Sequence, residues 1–137
     1  MNSTFIDTSF LIALVLTDDE HHRRAGAWNR ASRGALLTTE YVLIEFLDAL
    51  WDPPLRPLAV ETVSVLRRRP AVRVVPASTS LFDEAIGMFH SHRDKEWGLT
   101  DCISFIVMRR EGVMDALTSD HHFEQAGFRA LLRTDPP

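Results

Sequence analysis

Four carboxylates carry the chemistry open to this sequence. Asp7 ends a short apolar run, Phe5-Ile6, and precedes two hydroxyls, Thr8 and Ser9, and a second apolar stretch, residues 10–16. Glu45 stands in "TTEYVLIEFLDAL", Asp101 in "LTDCISFIVM" and Asp120 in "LTSDHHF". A carboxylate set between apolar stretches is costly, because an ionised group loses its hydration there unless a partner meets it. Each acid has an ordinary explanation. Asp7 suits a turn or helix cap, Asp101 the dipole at a helix start, Asp120 the cap of a short helix, and Glu45 a buried arginine. Taken together, the four would repel one another without a cation between them. Hard oxygen donors with no requirement for Cys or His suit Mg²⁺ or Mn²⁺.

The elements that must position these acids follow from the hydrophobic pattern. Short apolar runs alternate with longer amphipathic ones, which predicts a parallel sheet with helices on its faces. Strands are expected at residues 3–6, 35–38, 72–76 and 115–118, with an edge strand at 128–132. Helices are expected at 9–16, 19–33, 39–50, 57–69, 80–92, 100–111 and 121–126, with Thr39, the "SLFD" box at Ser80 and Thr100 as start signals. Asp7 and Asp120 then lie just past the carboxyl ends of strands, where open α/β sheets bind ligands. Asp101 falls in a first helical turn near that rim. Glu45 lies about one and a half turns into its helix among Val42, Phe46 and Ala49, which predicts an inward-facing side chain.

Four stretches in order, "FIDTSFLIAL", "TTEYVLIEF", "LTDCISFIVMRREG" and "ALTSDHHFEQAGF", resemble the acidic motifs of the PIN-domain family. The compact length resembles the VapC toxins within it. The resemblance runs nearly the whole chain and implies one PIN-like nuclease domain, 1–137, of three-layer α/β/α architecture on a parallel sheet of four to five strands. It implies a metal-dependent endoribonuclease leaving 5′-phosphate and 3′-hydroxyl ends. Asp7, Glu45, Asp101 and Asp120 match the family's acidic positions and would hold one or two Mg²⁺ or Mn²⁺ ions, with Thr8, Ser9, Thr100 and Ser119 orienting them. A cognate antitoxin and a homodimer are implied in the same way. Two histidines directly after Asp120 depart from the pattern and leave metal preference open, with His121 the one to test.

Composition bounds the rest. The chain has 137 residues, 45% hydrophobic, which suits one packed core, and a net charge of −4, which gives no global attraction to nucleic acid or membrane. One cysteine precludes an intrachain disulfide. The apolar run near the N-terminus is too short to span a bilayer, and a cytoplasmic location is expected. Arg67-Arg68-Arg69, Arg109-Arg110 and His22-Arg23-Arg24 are candidate RNA contacts or solvated faces. Trp97 is either a base-stacking platform or core. Two other functions compete: an aspartyl-phosphate phosphotransfer domain, for which Lys95 is the one available lysine, and a non-catalytic PIN-like module that binds RNA or protein.

Overall fold

Five short strands run parallel in the order β3-β2-β1-β4-β5: β1 (Ser3–Ile6), β2 (Ala35–Thr39), β3 (Val72–Val75), β4 (Asp115–Leu117) and β5 (Arg129–Ala130). The computed structural model describes residues 3–137. Within these, seven helices flank the sheet: α1 (Thr8–Val15), α2 (His22–Ala31), α3 (Glu40–Ala49), α4 (Arg56–Arg68), α5 (Thr79–Ser91), α6 (Leu99–Glu111) and α7 (His121–Gln125). Successive residues of a strand point to opposite faces. Accordingly Ile6 faces a cleft lined by Phe10, Leu11 and Leu66, whereas Phe5 packs on Phe123, which meets Phe105 edge-on. Both faces of the sheet are covered, and the buried strand positions are mostly apolar, with Thr38 and Thr39 of β2 the buried polar exceptions.

The chain moves outward from β1 through β2 to β3, then crosses back to β4 on the other side of β1. The order therefore reverses between β1 and β4, and the carboxyl ends of these strands are where open α/β sheets bind ligands. Helix α6 runs beside them. Its residues Cys102 to Met108, Ser104 among them, are all buried, so it is a central helix covered on every side.

Several boundaries depart from the expected ones. Helix α2 starts at His22 rather than residue 19, because Asp19 Oδ1 accepts the His21 N–H at 2.8 Å and closes a turn there. Helix α5 is capped by Ser78, whose Oγ accepts the Leu81 N–H at 3.1 Å, not by the box at Ser80. Helix α6 starts one residue before Thr100, capped at Gly98. Thr39 caps α3 as expected, accepting the Val42 N–H at 3.1 Å.

Candidate functional site

Parallel pairing aligns Ile6 with Leu117, and the Asp7 N–H extends the ladder onto the Leu117 carbonyl at 3.2 Å. The next residues past the two strands, Asp7 and Thr118, are thereby side by side. Thr118 Oγ1 donates to Asp7 Oδ2 at 2.7 Å, and Ser9 Oγ donates to the same oxygen at 2.9 Å. Asp7 occupies the N-cap position of α1, yet its side chain caps nothing. The capping explanation for Asp7 therefore fails. The residue is 5% exposed. Burial pushes its pKa up to about 6, against the Thr118 and Ser9 hydrogen bonds, and the charge of Glu45 adds to the rise.

Asp101 and Asp120 serve their helices and the site together. Asp101 Oδ2 accepts the Gly98 N–H at 3.0 Å. Burial lifts the Asp101 pKa to about 7; the Gly98 bond opposes, the charges of Asp7 and Asp120 add, and His122 opposes. Asp120 Oδ1 caps α7 by accepting the His122 N–H at 2.9 Å. The Asp120 N–H donates to Thr118 Oγ1 at 3.0 Å, and Ser9 Oγ lies 3.0 Å from that hydroxyl. One small network, Ser9 and Thr118, thus ties Asp7 to the turn that carries Asp120.

Glu45 corrects an expectation. It is exposed, because the buried stripe of α3 is Val42, Leu43, Phe46 and Leu50, while Ala49, counted as inward, also faces out. Its charge nonetheless reaches Asp7. The expected supporting hydroxyls are redistributed as well. Ser9 holds Asp7 directly. Ser119 enters through its backbone N–H, which donates to Ser9 Oγ at 3.2 Å. Thr8 Oγ1 is buried and has no hydrogen-bond partner among the described residues. Thr100 lies in the first turn of α6. Thr118 was missed; only the pairing of β1 with β4 reveals it.

The histidines exchange places. His121 is 59% exposed, whereas His122 turns inward, with Nδ1 3.1 Å from Asp120 Oδ1 and 3.6 Å from Asp101 Oδ2. Among the described residues, no arginine or lysine pairs with any of the four acids, so the buried-arginine explanation for Glu45 has no support. Lys95 pairs with Asp94 instead, at 3.3 Å. Carboxylates gathered without a protein cation, two of them with raised pKa values, form a donor set that fits a divalent ion.

A family model for the PIN domain matches residues 4–129. The chain belongs to the PIN-domain family. It is 30% identical to the 23S rRNA-specific endonuclease VapC20 of Mycobacterium tuberculosis over 124 residues, 90% of this chain and 94% of the relative, in both strain CDC 1551 / Oshkosh and strain ATCC 25618 / H37Rv. Its fold superposes on the crystal structure of M. tuberculosis VapC20, a sarcin-ricin loop cleaving toxin, with a TM-score of 0.85. That match has 29% identity and covers 92% of this chain and 96% of the other. The β1–β4 reversal is thus that of a PIN fold, and the aspartyl-phosphate alternative is set aside.

Proposed function

We propose that this PIN domain, residues 1–137, is a metal-dependent endoribonuclease and the toxin of a VapBC-type pair. The observation that carries the reading is the meeting of Asp7, Asp101 and Asp120, within the field of Glu45, at the one place where the strand order reverses. Asp7, Asp101, Asp120 and Glu45 would hold one or two Mg²⁺ or Mn²⁺ ions. When bound, such an ion lowers the pKa of a water nucleophile and neutralises charge on the phosphodiester. The chain's own residues do the rest. Ser9 and Thr118 fix the ionised Asp7 carboxylate by hydrogen bonds that favour its charged form. Gly98 holds Asp101 in the first turn of a buried helix.

The RNA must reach the same rim. Helices α4 and α6 return antiparallel to the strands, so Arg67-Arg68-Arg69 and Arg109-Arg110 lie at the opposite end. Arg110 pairs with Glu84, and Arg109 lies over Phe128 and donates to the Ala126 carbonyl. Arg24 and Arg133 are better placed. Arg24 donates to the Leu132 carbonyl, and Arg133 reaches the Ser119 carbonyl beside Asp120; each also pairs with an acid, Arg24 with Asp135 at 2.9 Å and Arg133 with Glu124 at 3.0 Å, which a phosphate would have to displace. These two are the phosphate contacts in this reading. Trp97 is not a stacking platform: it is 6% exposed and packs edge-on against Phe105.

A cytoplasmic location accords with the absence, among the described residues, of any helix long and apolar enough to cross a membrane. The antitoxin partner rests on the VapC relationship. Homodimerisation has a candidate surface in the exposed Ile44, Trp51, Leu58 and Val60; light scattering giving a monomer mass at micromolar concentration would remove it.

The test is cleavage. A ribosomal RNA fragment containing a stem-loop, incubated with the purified protein, is expected to be cut in Mg²⁺ or Mn²⁺ and left intact in EDTA. Cutting undiminished in EDTA, with Asp7→Asn as active as wild type, would refute the reading. Binding without cutting under all conditions would leave the non-catalytic PIN-like module in its place.

A further inference from the structure

We infer that His122 is a nitrogen ligand of the metal site, bound through Nδ1 between Asp101 and Asp120. The inference rests on the metal-dependent reading above and extends it from an all-oxygen donor set to a mixed one. Three observations carry it. His122 Nδ1 lies 3.1 Å from Asp120 Oδ1 and 3.6 Å from Asp101 Oδ2. Ligand atoms about 2.1 Å from one octahedral ion are about 3 Å apart when neighbouring and about 4 Å when opposite, so the shorter spacing suits neighbouring positions and the longer lies within the span of one shared cation. The Nδ1 atom is also shut off from solvent and makes no hydrogen bond with any described residue, despite its closeness to two carboxylates. An N–H there is misaligned for donation to either oxygen. A bare lone pair there would face two negative charges. A single cation satisfies all three atoms, whereas no proton on the ring does.

The placement is built in rather than incidental. Asp120 Oδ1 accepts the His122 backbone N–H at 2.9 Å, so the first turn of α7 fixes carboxylate and imidazole relative to each other. His121, next along the chain, is 59% exposed; its Nδ1 lies 3.8 Å from the same Asp120 oxygen, but His122 is the one placed between the two acids. Ligation uses the neutral ring with its proton on Nε2. An imidazole donor weakens the preference for Mg²⁺, which favours oxygen, and strengthens that for Mn²⁺ and later divalent ions.

Pulsed electron paramagnetic resonance of the full-length protein loaded with Mn²⁺ tests this directly. The wild-type echo envelope is expected to show modulation from a coordinated ¹⁴N. The modulation should persist in His121→Gln and vanish in His122→Gln, and the ratio of Mn²⁺ to Mg²⁺ affinity should fall in His122→Gln alone. Selective ¹⁵N-histidine labelling of wild type should replace the ¹⁴N pattern, which tests the same assignment without a substitution. Bound Mn²⁺ with no nitrogen modulation would overturn the ligand while leaving the carboxylate site standing. Modulation that survives in His122→Gln would overturn it too. A wild type that binds no Mn²⁺ at all would overturn both the ligand and the reading beneath it.

Discussion

Thr118 governs the ionisation of Asp7 more than any neighbouring charge does. Its hydroxyl, that of Ser9 and, least, the Thr8 backbone pull the Asp7 pKa down against burial, and the remaining rise still reaches about 6. Asp101 rises further, to about 7. Both acids must be ionised to bind a cation. Cleavage by the proposed enzyme is therefore expected to be low below about pH 6 and to climb between pH 6 and pH 7. Thr118→Val removes a hydrogen bond that favours the charged form, so the acid limb should move to higher pH. Rates measured from pH 5 to pH 8 check this, and an unmoved limb in Thr118→Val would show that the hydroxyl does not set the titration. Asp7, Asp101 and Asp120 were legible from their places past strand ends and at a helix start. Thr118 was not, because its role depends on which strand lies beside β1. Nor could "DHH" show which histidine turns inward; that is decided by the cap that Asp120 places on α7.

At the scale of elements, the site depends on holding α6 against α7. The segment before Asp101 is pinned through Trp97, whose Nε1–H donates to Gln125 Oε1 at 3.0 Å at the end of α7, and whose ring lies stacked 5.1 Å from His92. One side chain so fixes the entry to Asp101 relative to the helix that Asp120 caps. Trp97→Phe keeps the aromatic packing and leaves the Gln125 carbonyl unpaired. It should cost about 1 kcal/mol, the usual net value of such a bond, and lower the melting temperature by a few degrees. Gln125→Ala in the Trp97→Phe background should add little, because the interaction is already gone. Fully additive losses would show that the two side chains do not act as a unit. Sequence pattern left Trp97 open between core and base stacking, since an aromatic in a polar loop reads the same way in either case. The inward reading of Glu45 failed for a related reason. Ala49 is apolar yet small enough to sit on the exposed side, so it was a poor guide to the buried stripe of α3.

For the whole molecule, the alternation of strand and helix made the parallel sheet legible from the sequence alone. The order 3-2-1-4-5 was not, and it is the order that places β1 beside β4 and brings Asp7 and the turn carrying Asp120, more than a hundred residues apart, into one hydrogen-bonded network. Burial of Asp7 and Asp101 destabilises the metal-free fold, and the neighbouring carboxylate charges add to it. A folded-state pKa above the unfolded value means that the native protein holds extra protons between about pH 4 and pH 7. Metal-free stability accordingly falls as pH rises through that window. The rise at Asp7 corresponds to about 3 kcal/mol at neutral pH. Asp7→Asn keeps the shape and removes the charge. Thermal melts of wild type and Asp7→Asn at pH 7.5, each in EDTA and in Mn²⁺, test the central claim most directly. In EDTA the variant should melt at or above the wild-type temperature. At about one hundred times its dissociation constant, Mn²⁺ should raise wild type by about 2.7 kcal/mol, roughly 5 °C to 10 °C, and shift the variant little. Equal Mn²⁺ shifts in the two proteins, or an Asp7→Asn that melts well below wild type in EDTA, would contradict a metal site built on Asp7.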